Sequence, residues 1–590
     1  MDRRGYSRVI DTRTAYAIWT GAGRRPTLAG INGQRHMPTQ RIMAHPTTVR
    51  ALAWLGMVLL GVALLRALHP WTAAFDIYLY DETGYLNGGL TFSLDRYRDY
   101  ARTGLYPAFY GALSWIVTDP LRLMPVAAMV VLSLATVALF VALRAASRST
   151  GVAVAFTGLF LLGHLLTVAP RVSFLALAVM AATVAAVCAA RGPYAKLALA
   201  AAGAYVLCYA RAEYVLALYG VLALSLLLLA AAVVARRLPA GRALFTRQHA
   251  MRHAAGHTAL AFLILAGPFF SFPVPGESKR SFMAFGQHFA VREVAVTGRP
   301  VDPWTHWESL TEEAFPGARS IPQAATAAPA RFAGHIAANG REALGWFGGT
   351  LAATAWAQAT GRGPLIAAAA LGFLAAGAAL TVLAARRRIA SRTADAAGDR
   401  GLPLDLAVIA LLGAGPLVSA LLIYPRDHYL LLVFPALLMA AARLLRQPAE
   451  GGGPASALVT VAAGAALVVA VPTLPPDSRP VTTVIQALRA VDPPPRRMLE
   501  VDGGWCVYVL PRCATVYTFN LAPGLDATGA IATHAIDAIM VSPRFRGQGV
   551  IAGDPSWQAL LADPGAHGFR VEPMPFDYVL LRRDPPAAGS

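Results

Sequence analysis

No CxxC pair, HExxH helix, Walker loop or GxSxG elbow occurs in this chain. Those absences remove the common zinc sites, the phosphate-loop nucleotide hydrolases and the serine hydrolases from consideration. The glycine run Gly451–Gly453 lacks the strand–turn–helix setting that a phosphate-cradling loop requires. Charge is scarce as well, at 14% of 590 residues against 56% hydrophobic. With a mean hydropathy of +0.50, that composition excludes an ordinary soluble protein. Acidic charge is the rarest kind, since 32 acids stand against 51 basic residues, for a net charge of +19.

What fills the chain instead is long apolar runs. Runs near 50–68, 122–143, 152–169, 172–190, 194–210, 214–235, 256–272, 364–385, 404–424, 428–445 and 455–472 have the length and apolar character of transmembrane helices. The shorter apolar segments 106–118 and 343–358 read as interfacial or re-entrant; counting both as spans raises the total from about eleven to about thirteen. No apolar leader precedes the first run, and residues 1–49 read as a disordered, Arg-rich cytoplasmic tail with later methionines at Met37 and Met43. Arg144, Arg148, Arg191, Lys196, Arg236, Arg237, Arg386–Arg388, Arg443 and Arg446 all fall in alternate loops, on the side of that tail. Basic loops stay in the cytoplasm, so the N-terminus is expected inside and residues 473–590 outside, in the inner membrane of a bacterium. Topology and anionic headgroups account for the net charge without nucleic acid.

Three regions are then extracytoplasmic: a loop at 69–121, a second at 273–345, and the polar segment 473–590. The last reads as a small α/β domain, with a helix over Val481–Ala490 and strands at Arg497–Val501, Cys506–Leu510, Thr515–Phe519, Ala538–Val541 and Tyr578–Arg582. Cys506 and Cys513 flank a hairpin-like segment in an oxidising compartment and are expected to form a structural disulfide. Cys188 and Cys208 lie within apolar runs and read as small packing residues. His164 reads as a packed helix histidine.

The first loop carries Asp76-Ile-Tyr-Leu-Tyr80-Asp81-Glu82-Thr-Gly-Tyr85, adjacent carboxylates framed by tyrosines just beyond a span. An acid pair there suits proton transfer or cation binding at a membrane face; its plain structural reading is a solvated helix cap. A first span, an outer loop with Asp-Glu-x-x-Tyr, many further helices and an outer C-terminal domain resemble the GT-C superfamily of integral membrane glycosyltransferases. Its relatives include protein O-mannosyltransferases, the aminoarabinose transferase of lipid A and arabinofuranosyltransferases. The resemblance implies sugar transfer from a polyprenyl-phosphate donor to a glycan, lipid or protein acceptor outside the membrane. It makes Asp81 the base, with Asp76 as a weaker alternative, and gives Glu82 the task of orienting the acceptor. Asp81 and Glu82 together are the candidate ligands of a divalent cation, magnesium or manganese. Arg426 and His428, in the late loop Tyr424-Pro-Arg-Asp-His-Tyr429, match the basic residue such enzymes bring to the lipid phosphate.

Arg171, Arg211 and Lys279 are further phosphate candidates, because outer arginines run against the positive-inside trend. Each has the alternative of snorkelling or local pairing, Arg211 with Glu213 and Arg426 with Asp427. Lys279, Arg280 and His288 lie in the second outer loop, where Tyr85 of the first and Trp304, His306 and Trp307 of the second are candidate sugar contacts. The same aromatics suit an interfacial anchoring belt. A transporter or flippase is the competing function; it would place binding residues on broken helices at mid-membrane and show internal repeats, neither of which the chain displays.

Overall fold

The computed structural model describes residues 46–68, 76–77, 79–91, 93, 103–164, 172–237, 279–304, 306–352, 404–446, 454–470, 479–509, 513–518, 521 and 525–583. The architecture is mainly helical, with one small sheet near the C-terminus. Helices α1 (Pro46–Leu68), α4 (Pro120–Ser147), α5 (Thr150–His164), α6 (Val172–Ala189), α7 (Pro193–Ala210) and α8 (Val215–Arg237) form the first part of a bundle. Helices α13 (Leu404–Leu422), α14 (Asp427–Leu444) and α15 (Pro454–Ala470) complete the described bundle. Five of its segments are long and apolar enough to cross a membrane: Thr47–Leu65, Pro120–Ser147, Val172–Ala189, Ala212–Ala231 and Leu404–Leu422. Nine of the eleven apolar runs thus lie on helices; those at 256–272 and 364–385 fall outside the described residues, as do residues 1–45 of the tail.

The bundle is built around α4, which packs on α5, α6 and α14, while α1 lies along α15. Asp119 starts α4 by accepting the Leu121 N–H at 3.1 Å, with Pro120 in the first turn, where a missing N–H costs nothing. Two short helices, α2 (Asp81–Leu90) and α3 (Leu105–Ser114), pack on each other at one end of the bundle. The short run near 106–118 is therefore a helix of 10 residues, too short to span.

The second loop is helical too: α9 (Lys279–Thr297), α10 (Trp307–Ala314), α11 (Ile321–Ala327) and α12 (Pro329–Ala352) enclose a phenylalanine cluster of Phe285, Phe289 and Phe315. Helix α12 absorbs the first part of the glycine-rich stretch at 343–358; the rest lies outside the described residues. His335 and Asn339 of α12 cap the end of α13: His335 Nε2 lies 3.2 Å from the Leu422 and Ile423 carbonyls, and Asn339 Nδ2 donates to Leu421 O at 2.7 Å.

The C-terminal domain opens with α16 (Pro480–Arg489) and contains five strands, β1 (Arg497–Glu500), β2 (Ala514–Tyr517), β3 (Ala538–Val541), β4 (Phe569–Pro573) and β5 (Val579–Arg583). Their order is β2-β1-β3-β5-β4, with β2 and β3 parallel to β1 and with β5 antiparallel to both β3 and β4. Alternation along the strands assigns two faces. Met498, Ala538, Met540 and Leu580 join the core of the helix bundle, whereas Leu499, Ile539, Val541 and Leu581 join a separate core under the outer helices. One face of the sheet therefore shares a continuous apolar interior with the bundle.

One expectation for this domain needs correction: the run expected as a strand at Cys506–Leu510 is helical over its described residues, where Trp505–Val509 form a short helix, α17. A buried apolar run does not distinguish strand from helix by pattern, and here the Glu500 carboxylate decides by accepting the N–H groups of Gly504 (2.9 Å) and Trp505 (3.1 Å). The described part of the hairpin-like segment, residues 506–509, is thus helical, with residues 510–512 outside the described residues. The two cysteines are disulfide-linked, with Cα atoms 5.0 Å apart, tying α17 to the start of β2. Strand β4 was not expected: Phe569-Arg-Val-Glu-Pro573 alternates, but it is a short edge strand that ends in proline.

Candidate functional site at one end of the bundle

Asp76, five residues before the start of α2, is a helix cap. Its carboxylate accepts the Val481 N–H at 3.0 Å, the Thr482 N–H at 2.8 Å and the Thr482 hydroxyl at 2.7 Å, meeting the free donors at the start of α16. That employment leaves Asp76 poorly placed to act as a base. Asp81 and Glu82 follow at the start of α2, where acids complement the helix dipole. Successive helical residues point about 100° apart, and the two part company here. Asp81 is exposed, while Glu82 is only 4% exposed.

Glu82 enters a cage made by α3. Tyr106 and Tyr110 sit one turn apart on one face and both donate to Glu82 Oε1 at 2.6 Å. Burial first, and the adjacent carboxylate second, push both phenol pKa values well above the ordinary value, so they remain donors. Glu82 is thus held as a hydrogen-bonded acceptor, and Asp81 is the member of the pair that meets solvent. Among the described residues no group of three or more His, Cys, Asp or Glu side chains is placed to hold a metal ion. The divergence of Asp81 from Glu82 gives the divalent-cation expectation no assembled ligand set.

Tyr85, one turn along α2, packs edge-on against Tyr106 at 5.2 Å and lies within electrostatic reach of Arg211. Arg211 follows α7 and is 7% exposed. It pairs with Glu213, donates to Ser173 Oγ of α6 at 2.7 Å, and lies 4.7 Å above the Tyr429 ring of α14. Ser173 in turn donates to the His428 carbonyl at 2.8 Å. Arg211 is therefore a junction of three bundle elements, and its pairing with Glu213 matches the local-partner alternative.

Arg426 is placed differently. It precedes α14, half-buried, and its guanidinium lies 5.8 Å from the Trp304 ring, with no carboxylate partner among the described residues. His288 packs edge-on to Trp304 at 5.6 Å and stacks on Tyr424 at 5.3 Å. Burial, then the Arg426 charge, pushes His288 down to about 3, which keeps it neutral. His428 rests on the Tyr429 ring at 4.4 Å. Trp304 is 44% exposed, and His306, also exposed, is turned toward the Asp302 carbonyl at 3.1 Å from Nδ1.

The tyrosine-caged acid, the Arg211 junction and the Arg426–Trp304 stack thus converge through Tyr85 and the 424–429 loop. Lys279 opens α9, but its side chain, like that of Asp427, lies outside the described residues, as does all of Arg171. The sequence reading passed over Tyr106, Tyr110 and Ser173. Only the i, i+4 tyrosine spacing in Leu105-Tyr-Pro-Ala-Phe-Tyr110 offered a signal, and it is equally a packing pattern. Comparisons with family models, curated proteins and solved structures find no match.

Proposed function

We propose that this protein transfers a sugar from a polyprenyl-phosphate carrier to an acceptor hydroxyl at the extracytoplasmic face of a bacterial inner membrane. The observation that carries the reading is the exposed Asp81 carboxylate, on a helix whose Glu82 is locked by two phenols and whose Tyr85 packs on one of them. In this scheme Asp81 takes the acceptor proton as the acceptor oxygen bonds to the anomeric carbon. The bond from that carbon to the carrier phosphate breaks, and polyprenyl phosphate departs with the electron pair. Arg426 meets the phosphate charge, Arg211 fixes the floor of the site, and Trp304 offers an apolar face to the sugar.

The proposed topology has about eleven spans, the N-terminus inside, and both α2 and the sheet domain outside. The acceptor is a cell-envelope glycan, lipid or protein. The buried charges of the described bundle, Arg211 and Asp405, stand at helix ends, which supports an enzyme over a carrier with a mid-membrane site.

The test incubates membranes with a panel of labelled polyprenyl-phosphate pentoses and hexoses and follows the label into envelope polymers. Asp81→Asn keeps the shape and removes the base, so transfer should fall roughly 100-fold or more while donor binding persists. Arg426→Ala should weaken donor binding. Near-normal transfer by Asp81→Asn would reject this residue as the base, and no label transfer by wild-type membranes from any donor would favour the carrier.

A further inference from the structure

Tyr80, immediately before the acid pair, has φ 74° and ψ −127°. A side chain in that left-handed region costs about 1–3 kcal/mol and persists only where the surroundings impose it. The surroundings here belong to the sheet domain, more than 400 residues away in sequence. Strand β1 is flanked by β2 on one side and β3 on the other, both parallel to it, so the chain reverses direction about β1. The carboxyl ends of β1 and β3 therefore form the switch point at which open α/β sheets receive a ligand. In this protein the loops leaving those two strands close on Tyr80.

The contacts are specific. The Tyr80 N–H donates to Gly503 O at 3.1 Å, and the Arg544 guanidinium lies 4.7 Å from the Tyr80 ring and donates to its hydroxyl. Gly503 and Gly504 have φ of 83° and 110°. A Cβ on Gly503 would stand 2.9 Å from Tyr80 Cα, and one on Gly504 would stand 2.2 Å from Thr83 Cγ2, so a side chain at either position would push the loop away. Tyr508 adds a hydroxyl contact to Thr83 at 3.2 Å. On the other side of Tyr80, its carbonyl accepts the Gly84 N–H at 3.0 Å and starts the turn that bears Asp81. Tyr80 is 41% exposed and Arg544 is exposed, so their contact is not a piece of hydrophobic core.

We infer that the sheet domain is a positioning clamp for the reaction: Arg544 and the Gly503–Gly504 turn hold Tyr80 in its left-handed conformation and thereby set the direction in which Asp81 leaves α2. The inference rests on the reading of Asp81 as the base. Arg544 touches neither donor nor acceptor in this scheme; it acts through Tyr80.

The experiment uses the full chain in lipid nanodiscs and the labelled polyprenyl-phosphate sugar that wild-type membranes turn over, with Asp81→Asn run alongside. Arg544→Ala should lower kcat roughly tenfold or more, because small misplacements of a reacting group are costly, and should leave the donor KM within about twofold. Arg544→Lys keeps the charge and one donor to the phenol, so it should recover most of the loss. Amide exchange across residues 81–90 should quicken in Arg544→Ala and not in Arg544→Lys. In a Tyr80→Gly background, where the backbone is unstrained and the ring is gone, Arg544→Ala should change nothing further. If Asp81→Asn is inactive while Arg544→Ala keeps the wild-type kcat, the clamp is wrong and the base assignment stands. If kcat falls only as far as melting falls, with exchange at 81–90 unchanged, the residue is merely structural and the clamp is again wrong. If Asp81→Asn is fully active, base and clamp fall together.

Discussion

Glu82 and Asp405 are both buried carboxylates, and they are held in opposite ways. Two phenols hold Glu82, both donating to the same carboxyl oxygen. Asp405, fully buried at the start of α13, pairs with Lys196, with Arg443 at 2.8 Å and with Arg446 at 3.7 Å. There three cations outnumber one acid, and the ends of α7, α13 and α14 are drawn together. Glu500, in the sheet domain, takes a third course and accepts backbone N–H groups. A carboxylate held by cations is a structural buckle, and that sets the Asp405 end apart from the Glu82 end, where the proposed chemistry lies.

Removing each acid's partners, or the acid itself, tests the contrast. Asp405→Ala leaves Lys196, Arg443 and Arg446 crowded without an anion, and breaking such a buried cluster costs about 3–5 kcal/mol. Unfolding in detergent should register the full loss. A change under about 1 kcal/mol would mean that headgroups or water already screen the cations and that no buckle exists.

Glu500 should show itself through pH. Burial lifts its carboxyl from the ordinary carboxylate range to about 7. Because the folded pKa is raised, the stabilisation is fully present below about pH 4.5 and is lost as pH rises through about 7, by at most about 3 kcal/mol. Denaturation of the full chain should therefore be easier at pH 8 than at pH 5. Glu500→Gln should flatten that slope; an unchanged slope would assign it to other groups.

The phenol cage predicts a smaller loss with a distinctive coupling. Tyr106→Phe or Tyr110→Phe each deletes one hydrogen bond to a charged group, about 1.5–3 kcal/mol. The double variant strips both donors from Oε1 and should lose more than the sum, by about 0.5 kcal/mol or more. Strict additivity would mean that the two phenols serve Glu82 independently.

How much of this was legible beforehand follows from the kind of information each feature needs. Nine apolar runs announced helices because burial in lipid or core demands continuous hydrophobicity, which a single sequence displays directly. Strands β1, β3 and β5 announced themselves similarly through short apolar runs. Helix α17 did not, since the acid that initiates it, Glu500, lies upstream and on a strand. At the site, Asp81 and Glu82 looked equivalent as neighbours in sequence, and only the helix direction separates them. The Tyr80–Arg544 and Asp76–Thr482 contacts join residues over 400 positions apart, a relation that no local pattern records.

Asp76 allows the contrast between acids that fasten and the acid proposed to act to be drawn within one loop. Pro480 occupies the first position of α16, and Arg479 offers no side-chain cap, so the next two N–H groups depend on Asp76. Asp76→Ala should cost about 1 kcal/mol, as loss of a helix cap does. The substitution should lower the melting temperature of the full chain and leave sugar transfer per folded molecule within about twofold. Asp81→Asn, five residues along, should do the reverse: unchanged melting and nearly abolished transfer. Should Asp76→Ala instead abolish transfer at unchanged melting, the cap would be incidental and Asp76 would replace Asp81 as the base. A loss of both together, restored by moving the cap to position 479 as Arg479→Asp, would keep Asp76 structural and show that the placement of α16 governs the acid loop.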